Sequence, residues 1–258
     1  SSPRVRILDE KIKVLYIEGM PRWEYRYLRW VLLRDPRLEV NFLMTQGDPA
    51  LAGSSPHHIG RFPEDPKEAL KYDLIILGDV PASYFNTAQT DLINKLVKER
   101  GGSLLMLAGP MAAPATYRDT PIGDILPVNI GTGGYLSVNP NDSPEVTEDG
   151  QASLATSLSL APDTSARIWS HVRPMYGLPQ LGGAKSGATV LLRLPKANEQ
   201  LPDYPLVAWH RYGTGKSLFV ATEDLWRMRL EVGDRYHARF WGQTIQFLTL
   251  SRLLGQNK

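Results

Sequence analysis

The chain contains no cysteine. That excludes disulfides, thiolate metal sites and thiol catalysis. It also leans towards an extracytoplasmic bacterial location, although cysteine-free cytosolic proteins are common. Long apolar runs are lacking too. The longest, Leu104 to Ala115, is interrupted by Gly109, Pro110 and Pro114. A span needs roughly 20 apolar residues, so none is expected here. No secretory signal pattern is present. The chain opens Ser1-Ser2-Pro3 without a methionine, from which we expect a piece of a larger protein whose flanking segments carry any membrane anchor. Blocks of one charge are missing as well. The 29 Lys and Arg are spread among 27 Asp and Glu, for a net charge of +2. Nothing in that distribution points to nucleic acid.

Several catalytic and binding signatures are absent. The five histidines form no His-x-x-x-His or His-Glu-x-x-His pair, and His57-His58 reads as a surface pair in a loop. No metal site is expected from that pattern. No Gly-x-Ser-x-Gly elbow supplies a serine nucleophile. Gly213-Thr214-Gly215-Lys216-Ser217 has the look of a phosphate-loop ending, but His210 stands where the first glycine belongs. A strand pattern follows instead of a helix, so the two glycines read as a hairpin turn. No cofactor is expected.

What remains is the pattern of a folded α/β protein. The 258 residues suffice for one domain with a sizeable core or for two small ones. Ile12 to Ile17 is a short apolar run before Gly19 and reads as a buried parallel strand. A helix is expected over Arg22 to Arg34, with Pro21 in its first turn and Pro36 beyond its end. Leu38 to Met44, Leu74 to Leu77 and Ser103 to Leu107 read as further strands. Gln89 to Glu99 reads as an amphipathic helix stopped by Gly101-Gly102. This alternation argues for a parallel sheet with helices on both faces. Thr45 to Lys67 is a long Gly- and Pro-rich loop. An irregular excursion is expected at about 129–188, with a turn at Asn139-Pro140-Asn141-Asp142. Thr189 to Leu194, Leu206 to Arg211 and Ser217 to Thr222 read as strands, and Tyr236 to Leu254 as a largely buried closing helix.

Polar residues gather where strands end. Glu18, Arg22 and Glu24 follow the first strand, Asp79 the third, Gly109 the fourth, and Glu223, Asp224 and Arg227 the last. In open parallel sheets ligands bind beyond the carboxyl ends of strands. These eight residues are therefore the candidate ligand site. The competing reading makes them ion pairs and helix-end contacts, with Trp23 and Trp226 as packing anchors.

The run Val14-Leu15-Tyr16-Ile17-Glu18-Gly19-Met20-Pro21-Arg22-Trp23-Glu24-Tyr25-Arg26 resembles the class I glutamine amidotransferase-like domain of bacterial membrane proteins, often found alongside von Willebrand factor A domains. So does the ending, in Arg211-Tyr212-Gly213-Thr214-Gly215-Lys216, Ala221-Thr222-Glu223-Asp224-Leu225-Trp226-Arg227 and Tyr236-His237-Ala238-Arg239-Phe240-Trp241. Gly101 through Gly109 and Thr120 through Val128 match its middle more loosely. The resemblance implies a single domain over 1–258 with a flavodoxin-like three-layer α/β sandwich and a mostly parallel central sheet. Active amidotransferases of that fold carry a cysteine on the elbow and a His-x-Glu pair after a late strand. Here the elbow reads Ala108-Gly109-Pro110 and the late strand ends Thr222-Glu223-Asp224. Cysteine-dependent amidotransferase, protease or deglycase chemistry is thereby excluded.

The expectation is a pseudoenzyme: a binding or scaffolding module of a larger membrane-associated bacterial protein. Its partners would be other domains of that protein, a protein partner or a small polar ligand. The alternative is a carboxylate-dependent hydrolase acting on a small polar or carbohydrate substrate, with Glu24 and Glu223 as the acid/base pair. A third reading makes the 45–67 loop and the stretch near Asn139 a protein-binding surface.

Overall fold

The computed structural model describes residues 11–48, 50, 53, 55–137, 143–172, 177–195 and 203–255. The expected turn at Asn139 to Asp142 lies outside them. The described chain runs β1 (Ile12–Glu18), α1 (Trp23–Arg34), β2 (Leu38–Met44), β3 (Leu74–Leu77), α2 (Thr87–Lys98), β4 (Ser103–Leu107), β5 (Val128–Ser137), β6 (Glu145–Val146), α3 (Pro162–Ser170), β7 (Gly177–Ala184), β8 (Thr189–Leu194), β9 (Tyr204–Tyr212), β10 (Gly215–Val220) and α4 (Arg235–Gly255), with short helical turns between.

One sheet of eight strands, ordered β2-β1-β3-β4-β10-β9-β8-β6, organises the molecule. From β2 to β10 every pairing is parallel, and from β10 to β6 every pairing is antiparallel. The parallel strands are the continuous apolar runs. All of Leu74–Leu77 and all of Ser103–Leu107 are buried. A strand covered on both faces needs such a run rather than alternation. The chain leaves β1 outward to β2 and then returns to β3 on the other side. The crevice at that reversal is where an open sheet offers its ligand position.

The helices follow from their local sequences. In α2 the Asn86 side chain accepts from the Gln89 amide and the Gln89 side chain accepts from the Asn86 amide, a closed capping box. Helix α1 begins one residue later than its pattern suggests, leaving Pro21 outside. Arg22 is its extended N-cap residue and offers no side-chain cap, because its guanidinium is committed to the sheet edge. Helix α4 buries Phe240, Trp241, Ile245 and Leu248 and leaves Leu250 exposed.

Gly213-Thr214-Gly215 is the hairpin turn between β9 and β10. Gly213 has φ +59 and Gly215 abuts Gly102 and Val97, so both glycines are required by backbone geometry rather than by phosphate. The described part of the 45–67 loop is docked. Residues His57 to Ile59 bridge to Phe42 on the outer edge of β2, and Phe62 is buried. Within the expected excursion, β5 and β7 form a separate two-stranded antiparallel ribbon. No helix among the described residues is long and apolar enough to cross a membrane.

Candidate functional site

The eight predicted residues do converge on the carboxyl edge of the parallel strands, but they lie at two depths. The deeper set is Glu18, Glu24, Asp79 and Gly109. Glu18 is fully buried and bridges the switch point: its Oε1 accepts from the amides of Gly19 (3.0 Å) and Asp79 (2.8 Å). Its Oε2 accepts from the Tyr16 hydroxyl (3.3 Å) and Arg22 Nη2 (3.0 Å). A side chain at Gly78 would collide with that carboxylate.

Asp79 turns the opposite way. Its Oδ1 accepts from the amides of Ala112 (2.7 Å) and Ala113 (2.8 Å), and its Oδ2 from that of Met111 (2.8 Å). These are the amides of the turn that follows β4. Backbone amides converging in this way form an anion-binding concavity, and here an internal carboxylate fills it. Gly109 is glycine because a β-carbon there would strike the Asp79 side chain.

Glu24, the first-turn acid of α1, is wholly buried against α4. Its Oε1 accepts from Trp241 Nε1 and meets His237 Nε2, each at 2.7 Å, and its Oε2 accepts from the Trp226 amide at 2.7 Å. Glu24, expected as the acid/base partner of Glu223, is thus enclosed and does not line the cleft that Glu223 borders. A carboxylate placed on the inner face of α1 is needed there to satisfy buried donors and does not face a substrate.

The upper set surrounds an open cleft of about 1270 Å³. Arg22 joins the two depths: Nη1 donates to the Ala108 carbonyl (2.8 Å) and to Glu223 Oε2 (2.9 Å), opposite its bond to Glu18. Burial works against its charge, but Glu18, Tyr16 and Glu223 outweigh that and raise its pKa above the ordinary value. Glu223 lies on the cleft wall with its side chain 31% exposed. Burial raises its carboxyl pKa, and Arg22 opposes the rise. Asp224 accepts from Arg227 Nε at 2.9 Å, and the Arg227 guanidinium lies 4.8 Å from the Trp226 ring.

Of the remaining cleft residues, Trp23 and Trp226 were expected only as packing anchors and His58 as a surface residue, and Arg26, Arg29, Trp30 and Tyr135 went unrecognised as site residues. Trp23, Arg26 and Trp30 share the outer face of α1 at spacings of three and four, and all three are exposed. Trp23 packs on Trp226 with ring centroids 5.6 Å apart. Arg29 and His58 border the same cleft, as does Tyr135 from β5. The helical spacing of Trp23, Arg26 and Trp30 is a signal that could have found the first wall. Nothing in the local sequence of β5 marks Tyr135. Burial raises the Tyr135 pKa first, and Glu223 and Asp79 add to the rise, so it stands as a neutral hydroxyl. Burial, Arg29 and His57 lower the His58 pKa. Among the described residues no group of three or more His, Asp or Glu could hold a metal ion.

No known protein-family pattern matches the chain, and no curated protein matches it. Solved structures do. A cytoplasmic protein from Salmonella typhimurium superposes with a TM-score of 0.65 at 19% identity, covering 92% of this chain and 99% of that one. The mmIFT52 N-terminal domain gives 0.50 at 12% identity, covering 92% and 97%. Part of the exo-beta-1,4-mannosidase Op5Man5 from Opitutaceae bacterium strain TAV5 gives 0.47 at 16% identity, covering 93% of this chain and 36% of that one. At such identities the likeness to the first two speaks to the fold alone.

Proposed function

We propose that this chain is a non-catalytic binding domain of the class I glutamine amidotransferase-like kind, working as a module of a larger, membrane-associated bacterial protein. The strand order β2-β1-β3-β4-β10, with its reversal between β1 and β3, supports a flavodoxin-like doubly wound reading.

One observation carries the non-catalytic part. In the turn after β4, where the resemblance implies a nucleophile, Ala108-Gly109-Pro110 offers none, and Asp79 takes the amides of Met111, Ala112 and Ala113. Acyl transfer needs free amide donors aimed at the developing oxyanion. Here three amides of that turn are already taken by the Asp79 side chain. The cleft above, with its exposed indoles and arginines, keeps the means to bind.

The hydrolase alternative draws on the raised pKa of Glu223. A pair of carboxyl groups with separated roles is required, and the second carboxylate of the cleft, Asp224, is held by Arg227.

The test is a turnover screen of the purified chain with glutamine, aryl esters and aryl glycosides. We expect no product above the rate without protein. Turnover that disappears in Glu223→Gln would overturn the reading.

A further inference from the structure

Four of the cleft's polar atoms are buried without a hydrogen-bond partner among the described residues: Arg22 Nε, Arg29 Nε, His58 Nδ1 and the Tyr135 hydroxyl. Buried polar groups are normally satisfied, so their gathering in one cleft is informative. Arginine Nε is a donor only, and a neutral tyrosine hydroxyl can donate. Arg26 and Arg29 also have no carboxylate within ion-pair distance among the described residues. Where Arg26 and Arg29 stand, this wall of the cleft therefore carries positive charge that no carboxylate of the described residues neutralises.

The same wall presents flat faces. Trp23 is 52% and Trp30 48% exposed, with Arg26 over the first ring at 5.3 Å and Arg29 over the second at 5.6 Å; Tyr27 and Trp226 also pack on Trp23, at 6.0 and 5.6 Å, so the exposed half of each indole is what a ligand can cover. The two tryptophans are seven helical positions apart, about 10 Å along the axis. The opposite wall differs: Glu223 is an acceptor that remains partly exposed. A complementary ligand is therefore extended, has flat apolar faces, carries anions for one wall and brings hydrogen-bond donors to the other.

Resting on the reading of this cleft as a binding site, we propose that its ligand is an acidic oligosaccharide, a chain of sugar rings bearing carboxylates. Ring faces would stack on Trp23 and Trp30, carboxylates would meet Arg26 and Arg29, and hydroxyls would donate to Glu223. Other polymers match fewer of these features. A polyproline segment supplies carbonyl acceptors but neither anions for the arginines nor amide donors for Glu223. An acidic peptide supplies anions without regularly spaced flat faces. A DNA phosphodiester chain brings bases and anions but no internal sugar hydroxyls to donate to Glu223.

The test titrates the full chain with an oligogalacturonate at low salt, following tryptophan fluorescence and heat. Its methyl-esterified form, a polyglutamate peptide and a short single-stranded DNA are titrated in parallel. We expect saturable binding of the oligogalacturonate that added salt weakens. Esterification, Arg26→Ala and Trp23→Ala should each weaken it at least tenfold, with the unfolding midpoint of Arg26→Ala unchanged. Arg26 is exposed and outside any ion pair, so its variant remains informative should Trp23→Ala disturb the fold. Equal binding of the esterified form, tighter binding of peptide or DNA, or no binding of the oligogalacturonate would overturn the ligand class. Tighter binding of peptide or DNA would still leave the chain a binding domain. Release of new reducing ends from a bound oligogalacturonate would instead overturn the non-catalytic reading and leave the ligand class standing.

Discussion

Beneath the cleft, Glu18, Glu24 and Asp79 together accept from amides, an indole, a hydroxyl and a guanidinium. On the cleft wall, Arg29, His58 and Tyr135 each keep a buried polar atom without a partner among the described residues. Both sets sit at the same edge of the same sheet, and both are rich in charged and aromatic residues. The deeper one is a structural network that fixes where the turns lie. The upper one is held in place by that network yet keeps hydrogen-bonding capacity of its own. Composition does not separate the two sets, whereas burial and partner count do.

The sharpest way to break this comparison is at Glu24. Glu24→Ala removes the carboxylate that Trp241 Nε1, His237 Nε2 and the Trp226 amide share, leaving the amide without its acceptor and the indole with His237 alone. We expect a loss of about 3–5 kcal/mol in unfolding free energy by urea titration. A loss under about 1 kcal/mol would mean that Glu24 is no structural acceptor. Asp79→Ala should follow, costing on the order of 3 kcal/mol as three turn amides lose their side-chain acceptor. Gly109→Ala, which pushes a methyl into the Asp79 carboxylate, should cost about 1–3 kcal/mol in the same measurement. On the upper wall, Arg26→Ala should change stability by no more than about 0.5 kcal/mol, since its side chain is exposed. A large effect there would erase the distinction between the two sets.

The smallest effect concerns pH. Burial raises the Glu223 pKa above its ordinary carboxylate value. Between the ordinary and the raised value the folded chain keeps a proton that the unfolded chain has released. The contribution of Glu223 to stability is therefore greatest below that interval and falls as pH rises through it. The stability difference between the wild type and Glu223→Gln should drift in that direction as pH climbs from about 4. A pH-independent difference would mean that Glu223 titrates alike in both states.

Much of the fold was legible because its signals are local. The runs at 12–17, 74–77 and 103–107 are apolar enough to demand burial on both faces, and they became central strands. The glycines at 213 and 215 read correctly as a hairpin because a strand pattern follows them. The site was legible only as a gathering of strand ends. Glu24 and Arg26 are two residues apart and equally polar, yet one faces α4 and the other faces solvent. Their division follows from the rotation of α1 about its axis, which Leu28 and Leu32 set by packing into the core. Tyr135 arrives from a ribbon outside the main sheet, and no spacing in the sequence ties it to Glu223.

By itself, the sequence determined that thiol chemistry is impossible, that a mostly parallel sheet lies at the centre, and that charged residues collect where its strands end. Those properties depend on residue type and on periodicities of two and 3.6, which the chain carries locally. Only the tertiary structure decided which carboxylates are enclosed and which face the cleft. Hydrogen-bond satisfaction is a property of neighbours: Asp79 meets amides more than thirty residues away, and Glu24 meets an indole 217 residues on. Contacts at such separations exist only once the sheet has brought its strand ends together.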